Sequence, residues 1–303
     1  MSQETIEKTF NISGQASLKL TNIRGSVEVR PGEANQIQIS VIKHLDSGDA
    51  QNTEIELSQA ADGSVLVATH FPEGWWLWLL GSKPCRVDYV VKMPHAGQLK
   101  LKGVENSVFV DGLEGEFDLA SVSGELSLRN LLGPVKINTV SGDISISRVS
   151  GALELVTVSG HLNASDARLN AINAKTVSGH LSLQTALTDG PYKFDSVSGD
   201  VRLLLPADTR CSARLRSVSG EISSTFPGSD FLRNHGTLSV EIQGGGVPLT
   251  VGSVSGNLQL YPSAGSTSST AEKAPAGADR SEILARIERG EISAAEALEQ
   301  LKA

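Results

Sequence analysis

The sequence predicts an all-β chain wound into a solenoid of about 18–20 residues per turn, with a small α-helical hairpin at its C-terminus. Three observations carry this. The motif Ser/Thr-Val-Ser-Gly occurs seven times, with its glycines at 124, 142, 160, 179, 199, 220 and 256. After the first five of these glycines, the second and fourth residues are apolar: Leu126/Leu128, Ile144/Ile146, Leu162/Ala164, Leu181/Leu183 and Val201/Leu203. Past residue 279 the apolar period changes from that of a strand to that of a helix.

Residues 5–95 read as irregular strands. Short alternating runs such as Ala16–Leu20, Ser26–Val29 and Gln36–Ile39 are separated by turn residues, including Pro31-Gly32 and Asp62-Gly63. All three tryptophans fall in the interrupting segment 71–85, whose apolar letters are Trp75, Trp76, Leu77, Trp78, Leu79 and Leu80. Two readings fit it. It covers a flank or open end of the solenoid, or Trp75, Trp76, Trp78, Leu79 and Leu80 enter a membrane interface or a partner groove, with Lys83 and Arg86 suited to anionic headgroups. The run is too short to span a bilayer.

Residues 96–262 read as the regular repeats. Gly97, Asn106, Gly115, Gly124, Gly133, Gly142, Gly151 and Gly160 recur every nine residues, so each turn has two similar halves, a corner and a short strand. The glycines, and Asn106 in their place, are expected at positive φ. Alternation after each glycine points the second and fourth residues inward, and the valine of each motif is expected to form a further inward column. The last interval, from 220 to 256, is about two periods, with a degenerate copy at His235-Gly236-Thr237. Gly244-Gly245-Gly246 reads as a hairpin turn. The segment around Pro206 echoes that around Pro94, which suggests two related halves.

Residues 263–279 are a Ser-, Ala- and Gly-rich linker. Over 280–303, capping boxes Asp279/Glu282 and Ser293/Glu296 with Gly290 between them predict the helical hairpin. Its apolar residues Ile283, Leu284, Ile287, Ile292, Leu298 and Leu301 form the expected self-association or protein-docking surface, because so short a hairpin cannot bury a core alone.

The net charge of −8 argues against nucleic acid as a partner. Two cysteines, Cys85 and Cys211, are too few for a disulfide framework. The start MSQETIEKTF lacks a basic stretch followed by an apolar run, so no signal peptide is expected. The expected location is the cytoplasm, peripheral to the inner face of the membrane.

Seven serine copies argue against a nucleophile, since an active site is built once, and read instead as corner residues. Calcium ligation of the nonapeptide-repeat kind needs more oxygens than Asp143 and Asp200 provide. The residue after each motif glycine reads Glu125, Asp143, His161, His180, Asp200, Glu221. Stacked in register, His161 and His180 with Asp143 or Asp200 are weak metal candidates beside the simpler reading of a solvated ladder. The next outward column, Ser127, Ser145, Asn163, Ser182, has no aromatic platform for a sugar. No cofactor and no catalytic residue are expected.

The opening Leu18-Lys19-Leu20-Thr21-Asn22-Ile23-Arg24-Gly25-Ser26-Val27-Glu28-Val29, the Met93-Pro94 segment and the repeated Val-Ser-Gly turns together resemble the bacterial putative-adhesin β-strand-repeat family of unknown function, which is YvlB/LiaX-like. The resemblance covers residues 5 to about 262. The tail EILARIERGEISAAEALEQL is similar to a SHOCT-like hairpin. The resemblance implies a right-handed β-helix, a role at or near the cell envelope linked in some members to envelope stress, and no catalytic residues. The expected function is a non-enzymatic, adhesin-like scaffold. The alternatives are a polysaccharide-acting β-helix enzyme and an exported surface adhesin.

Overall fold

A computed structural model of the chain describes residues 2–71, 83–188, 190–234 and 237–263. They form one sheet of 22 strands. In chain order these are β1 Gln3–Asn11, β2 Ala16–Pro31, β3 Gln36–His44, β4 Glu54–Gln59, β5 Val65–His70, β6 Arg86–Met93, β7 Ala96–Asp111, β8 Glu114–Ser123, β9 Leu126–Arg129, β10 Val135–Ser141 and β11 Ile144–Ser147. There follow β12 Ser150–Ser159, β13 Leu162–Ser178, β14 Leu181–Thr185, β15 Tyr192–Ser198, β16 Val201–Leu205, β17 Cys211–Ser217, β18 Ile222–Ser224, β19 Ser229–Asn234, β20 Thr237–Ile242, β21 Val247–Ser255 and β22 Leu258–Pro262.

The expected fold class is corrected here. Every described element is a strand, so the α-helical hairpin is no part of the described fold. Residues 280–303, with Ile283, Leu284, Ile287, Ile292, Leu298 and Leu301, lie outside the described residues. Nor is the solenoid a single parallel coil. Between β7 and β16 each turn pairs in parallel with the next, strand upon strand, as Val135 with Leu153 and Ile144 with Leu162. At both ends this order breaks. β2 lies between β7 on one side and β5 and β6 on the other, all parallel. β21 lies between β15 and β17, and β22 between β16 and β18. The outermost turns are then closed by antiparallel strands: β3 and β1 beyond β6, β4 beyond β5, and β20 and β19 beyond β17. Antiparallel closure ends the stack without leaving a full turn of open parallel edges.

The long interval from Gly220 to Gly256 is therefore not a degenerate turn. It holds the antiparallel strands β19 and β20, after which the chain returns to insert the last turn one place inward. The Gly244-Gly245 turn is no hairpin either, because β20 and β21 flank β17 on opposite sides.

The core consists of side-chain columns. One runs Phe117, Val135, Leu153, Ile172, Tyr192, Leu249, Ala213, and its neighbour runs Leu119, Ile137, Leu155, Ala174, Phe194, Val251, Leu215. All are buried. Large residues face small ones between turns, as Phe194 beside Ala174, which keeps packing dense at a fixed strand spacing of about 4.8 Å.

The motif valines do not join this core. Val122, Val140, Val158, Val177, Val197 and Val254 are 46–50% exposed, and Val218 is 85% exposed. The reason is parity. Alternation along β8 points Phe117, Leu119 and Ser121 inward and leaves Val122 outward. The Ser-Gly corner separates inward residues Ser121 and Leu126 by an odd number of positions, so phase cannot be carried across it. The inward place belongs to the hydroxyl residue, and Ser121, Thr139, Thr157, Thr176 and Ser196 are buried.

The glycines are required by stacking more than by φ. A Cβ on Gly124, Gly142, Gly160, Gly179, Gly199, Gly256 or Gly220 would stand well inside van der Waals contact of a backbone carbonyl oxygen in the adjacent turn. Those oxygens belong, in order, to Asn106, Gly124, Gly142, Gly160, Gly179, Gly199 and Gly256. Gly142 and Gly179 also have positive φ, at 134° and 146°, but Gly160 does not. Asn106 heads this column without positive φ. Its side chain turns inward, and Nδ2 donates to the Asn22 carbonyl at 2.8 Å.

If carbonyl contact governs, Gly142→Ala and Gly160→Ala each destabilise by roughly 2–4 kcal/mol. At Gly14, where nothing lies within 4 Å of the added Cβ, alanine changes stability by less than about 0.5 kcal/mol. Thermal melts of the three variants check this, and a wild-type melt for Gly160→Ala rules out the stacking explanation.

Candidate functional site

The motif corner brings three outward columns side by side: the valines, the second serines, and the residues that follow the glycines. Ser123 Oγ donates to the Val104 carbonyl at 3.1 Å, and Ser141 Oγ to the Val122 carbonyl at 3.4 Å. These serines join turn to turn and carry no base. Between them and the third column the motif glycines form a shallow groove lined by Ser159, Gly160, His161, Ser178, Gly179, His180 and Asp200.

His161 and His180 do stack, with ring centroids 5.4 Å apart and an interplanar angle of 12°. Their chemistry is taken up by the fold. His180 N–H donates to His161 Nδ1 at 3.2 Å, and Asp200 N–H to His180 Nδ1 at 3.4 Å. Asn257 N–H donates to Asp200 Oδ1 at 2.9 Å, and Glu221 N–H to Asn257 Oδ1 at 3.0 Å. Each side chain thus accepts the backbone amide of its counterpart one turn on. The corner leaves that amide without a ladder carbonyl, and an orphan donor needs an acceptor. This accounts for Asp, Asn and His at the position. Asn257 was missed in the sequence because β21 and β22 insert out of chain order.

As metal ligands the pair is poorly disposed. Two Zn–N bonds of about 2.1 Å span at most about 4.2 Å, and near-parallel rings at 5.4 Å hold corresponding nitrogens farther apart. Asp143 lies one turn before His161. Among the described residues no three His, Cys, Asp or Glu side chains converge. Trp75, Trp76, Trp78, Leu79 and Leu80 lie outside the described residues, between β5 and β6 in the sequence.

A second cluster was not anticipated. Asp88 Oδ1 accepts from Ser26 N–H at 2.7 Å, Ser26 Oγ at 2.8 Å and Arg86 Nε at 3.0 Å, while Oδ2 meets His44 Nε2 at 2.7 Å. Gln3 Nε2 stands 3.2 Å from His44 Nδ1. Burial pushes the Asp88 carboxyl up, but the bonds from Ser26, Arg86 and His44 outweigh it and hold the group below its ordinary range. Ser26 bonds the carboxylate and not the imidazole, so this is no nucleophile–base pair. It ties β1, β2, β3 and β6 together. Only strand register brings residues 26, 44 and 88 together. Both cysteines are free and buried, and burial pushes the Cys211 thiol up to about 11.

Two outcomes are expected. Zinc titrated into the full chain by calorimetry gives no stoichiometric sub-micromolar site; one that disappears in His161→Ala contradicts the ladder geometry. Asp88→Asn costs about 1–3 kcal/mol at pH 7. Because the folded carboxyl is depressed, its contribution is complete above the unfolded value near 3.9 and fades as pH falls through the lower folded value. Denaturant melts of wild type and variant therefore converge below about pH 4; a pH-independent difference contradicts this.

Similar backbones occur in solved structures. A putative adhesin from Bacteroides fragilis aligns over 86% of this chain and 98% of its own, at 9% identity and TM-score 0.48. A putative adhesin from Parabacteroides distasonis aligns over 85% and 97%, at 10% identity and TM-score 0.39. A putative cell adhesion protein from Clostridium sporogenes aligns over 86% and 100%, at 11% identity and TM-score 0.28. No curated protein matches the sequence. The stacked Val-Ser-Gly turns and the strands that close them fall within residues 15–261, the span matched by the Toastrack DUF4097 family model, and the chain belongs to that family.

Proposed function

We propose that this chain is a non-enzymatic, adhesin-like binding scaffold that works at or near a bacterial cell envelope, peripheral to the inner face of the membrane and linked to envelope stress. One observation supports it above the rest: the outward residues form uninterrupted columns from turn to turn, while the side chains able to do chemistry are held in bonds that serve the fold. His161, His180, Asp200 and Asn257 cap backbone amides, and Asp88 and His44 clamp strands. A repeated surface suits extended recognition, as in other solenoids. The tryptophan-rich segment supplies the membrane contact: indole rings favour the interface, and Lys83 and Arg86 flank it in sequence. A net charge of −8 disfavours nucleic acid.

Vesicle co-sedimentation of the full chain tests the membrane arm. Binding to vesicles containing phosphatidylserine is expected, weakening with salt. It falls at least severalfold on deletion of residues 73–82 and in Trp75→Ser/Trp76→Ser/Trp78→Ser. Absence of binding, or equal pelleting by both variants, overturns it.

A further inference from the structure

The valine column and the charges beside it point to a partner. Val140, Val158, Val177, Val197, Val254 and Val218 lie on consecutive turns, all outward. Two residues earlier in β13 and β15, and so on the same face, stand Lys175 and Asp195. Lys175 has no ion-pair partner among the described residues, whereas Asp195 meets Lys193 at 3.1 Å with 38% of its side chain exposed.

We propose that this face binds a second copy of the chain about a two-fold axis passing between the turns of Val177 and Val197. The proposal goes beyond the membrane reading and does not depend on it. A two-fold perpendicular to the column, lying in the interface, reverses the order of turns but keeps each column facing itself. Val177 then meets the partner copy's Val197, Val158 its Val254, and Val140 its Val218. In the adjoining column, Lys175 of each copy meets Asp195 of the other, so the two ion pairs form together. Val156 meets Gly252, over which the Asp195 carboxylate reaches, its Oδ1 2.9 Å from where a Cβ would stand.

No other placement of the axis on this face sets the two charges opposite one another. Shifted by one turn toward Val158, the axis opposes Lys175 to Val156; shifted the other way, it opposes Asp195 to Gly252. Pitch favours the same partner. A column repeating every ~4.8 Å interdigitates over many turns only with a surface of equal repeat, and an identical column supplies one. The two-fold closes the assembly at a dimer.

Sedimentation velocity of the full chain across a concentration series tests this. The wild type is expected to dimerise. Val177→Asp, Lys175→Asp and Asp195→Lys each raise the dissociation constant at least tenfold while retaining the wild-type circular dichroism spectrum. Mixing Lys175→Asp with Asp195→Lys restores a dimer, since the carboxylate introduced in one variant then faces the ammonium introduced in the other, and this recovery cannot arise within one chain. A wild type that stays monomeric overturns the proposal and leaves the valine stripe to an unlike partner. Variants that dimerise as the wild type does, or single-charge variants that fail to recover on mixing, overturn it as well.

Discussion

The contact on which this structure depends is that of a motif glycine with the carbonyl oxygen of the glycine in the next turn. A turn can stack only if its corner approaches the adjacent corner more closely than any Cβ allows. Once that approach repeats, each strand lies in parallel register with its neighbour and every inward side chain falls above its counterpart. The apolar columns follow from the corner, not the reverse. Many hydrophobic residues satisfy the inward positions, as Ile137, Leu155, Ala174, Phe194 and Val251 show within a single column. Nothing but glycine recurs at the corner, apart from Asn106 at its head, whose side chain finds a buried partner in Asn22. Interiors tolerate changes of shape when volume is kept, whereas an atom placed on a carbonyl oxygen has nowhere to go.

The same corner creates a debt of hydrogen bonds. It carries the amide after each glycine away from the regular ladder, and side chains from the adjacent turn meet it: His161, His180, Asp200 and Asn257 in succession. The polar column that invites a metal reading is thus largely accounted for by backbone satisfaction. The ends of the stack pose the opposite problem, excess unpaired edge. The chain answers similarly at both: a terminal turn is threaded one place inward, and the outermost turn is sealed by antiparallel strands. The related sequences near Pro94 and Pro206 both lie where the chain passes the inserted turn, between β6 and β7 across β2 and between β16 and β17 across β21 and β22.

What could be read from the sequence was what repeats locally. Turn length, corner position and the inward residues after each glycine lie within a few residues of one another and follow from period alone. The valine phase was legible only from the strand before the corner, where Phe117 and Leu119 set the alternation; read back from the residues after the glycine it fails, because the corner adds residues that belong to neither strand. The positive φ expected at Gly160 was an inference from residue type, and the structural demand there is space. Asn257 was hidden by its place in the chain, since nothing between 220 and 256 announces that the last turn returns inside the previous one. The Asp88–His44 clamp needed the antiparallel register of β3 on β6, which sets Ile42 against Asp88 and so brings His44 within reach diagonally. Long-range register of this kind leaves no local mark.

A fold made this way has a particular relation to function. A catalytic centre needs unlike groups converging on one point from different elements, while a stack of similar turns sets like groups along lines. Convergence arises only where repetition fails, and here that is at the ends, where Ser26, His44, Arg86 and Asp88 do meet. There the carboxylate is saturated by four donors and the imidazole is fixed between Asp88 and Gln3, so this convergent cluster is committed to holding the cap in place. What remains free along the stack is linear: a valine stripe, a serine stripe and a charge pattern that varies slowly from turn to turn. Surfaces of that form discriminate partners by repeat and by sign of charge, and those are the terms in which recognition by this chain is best sought.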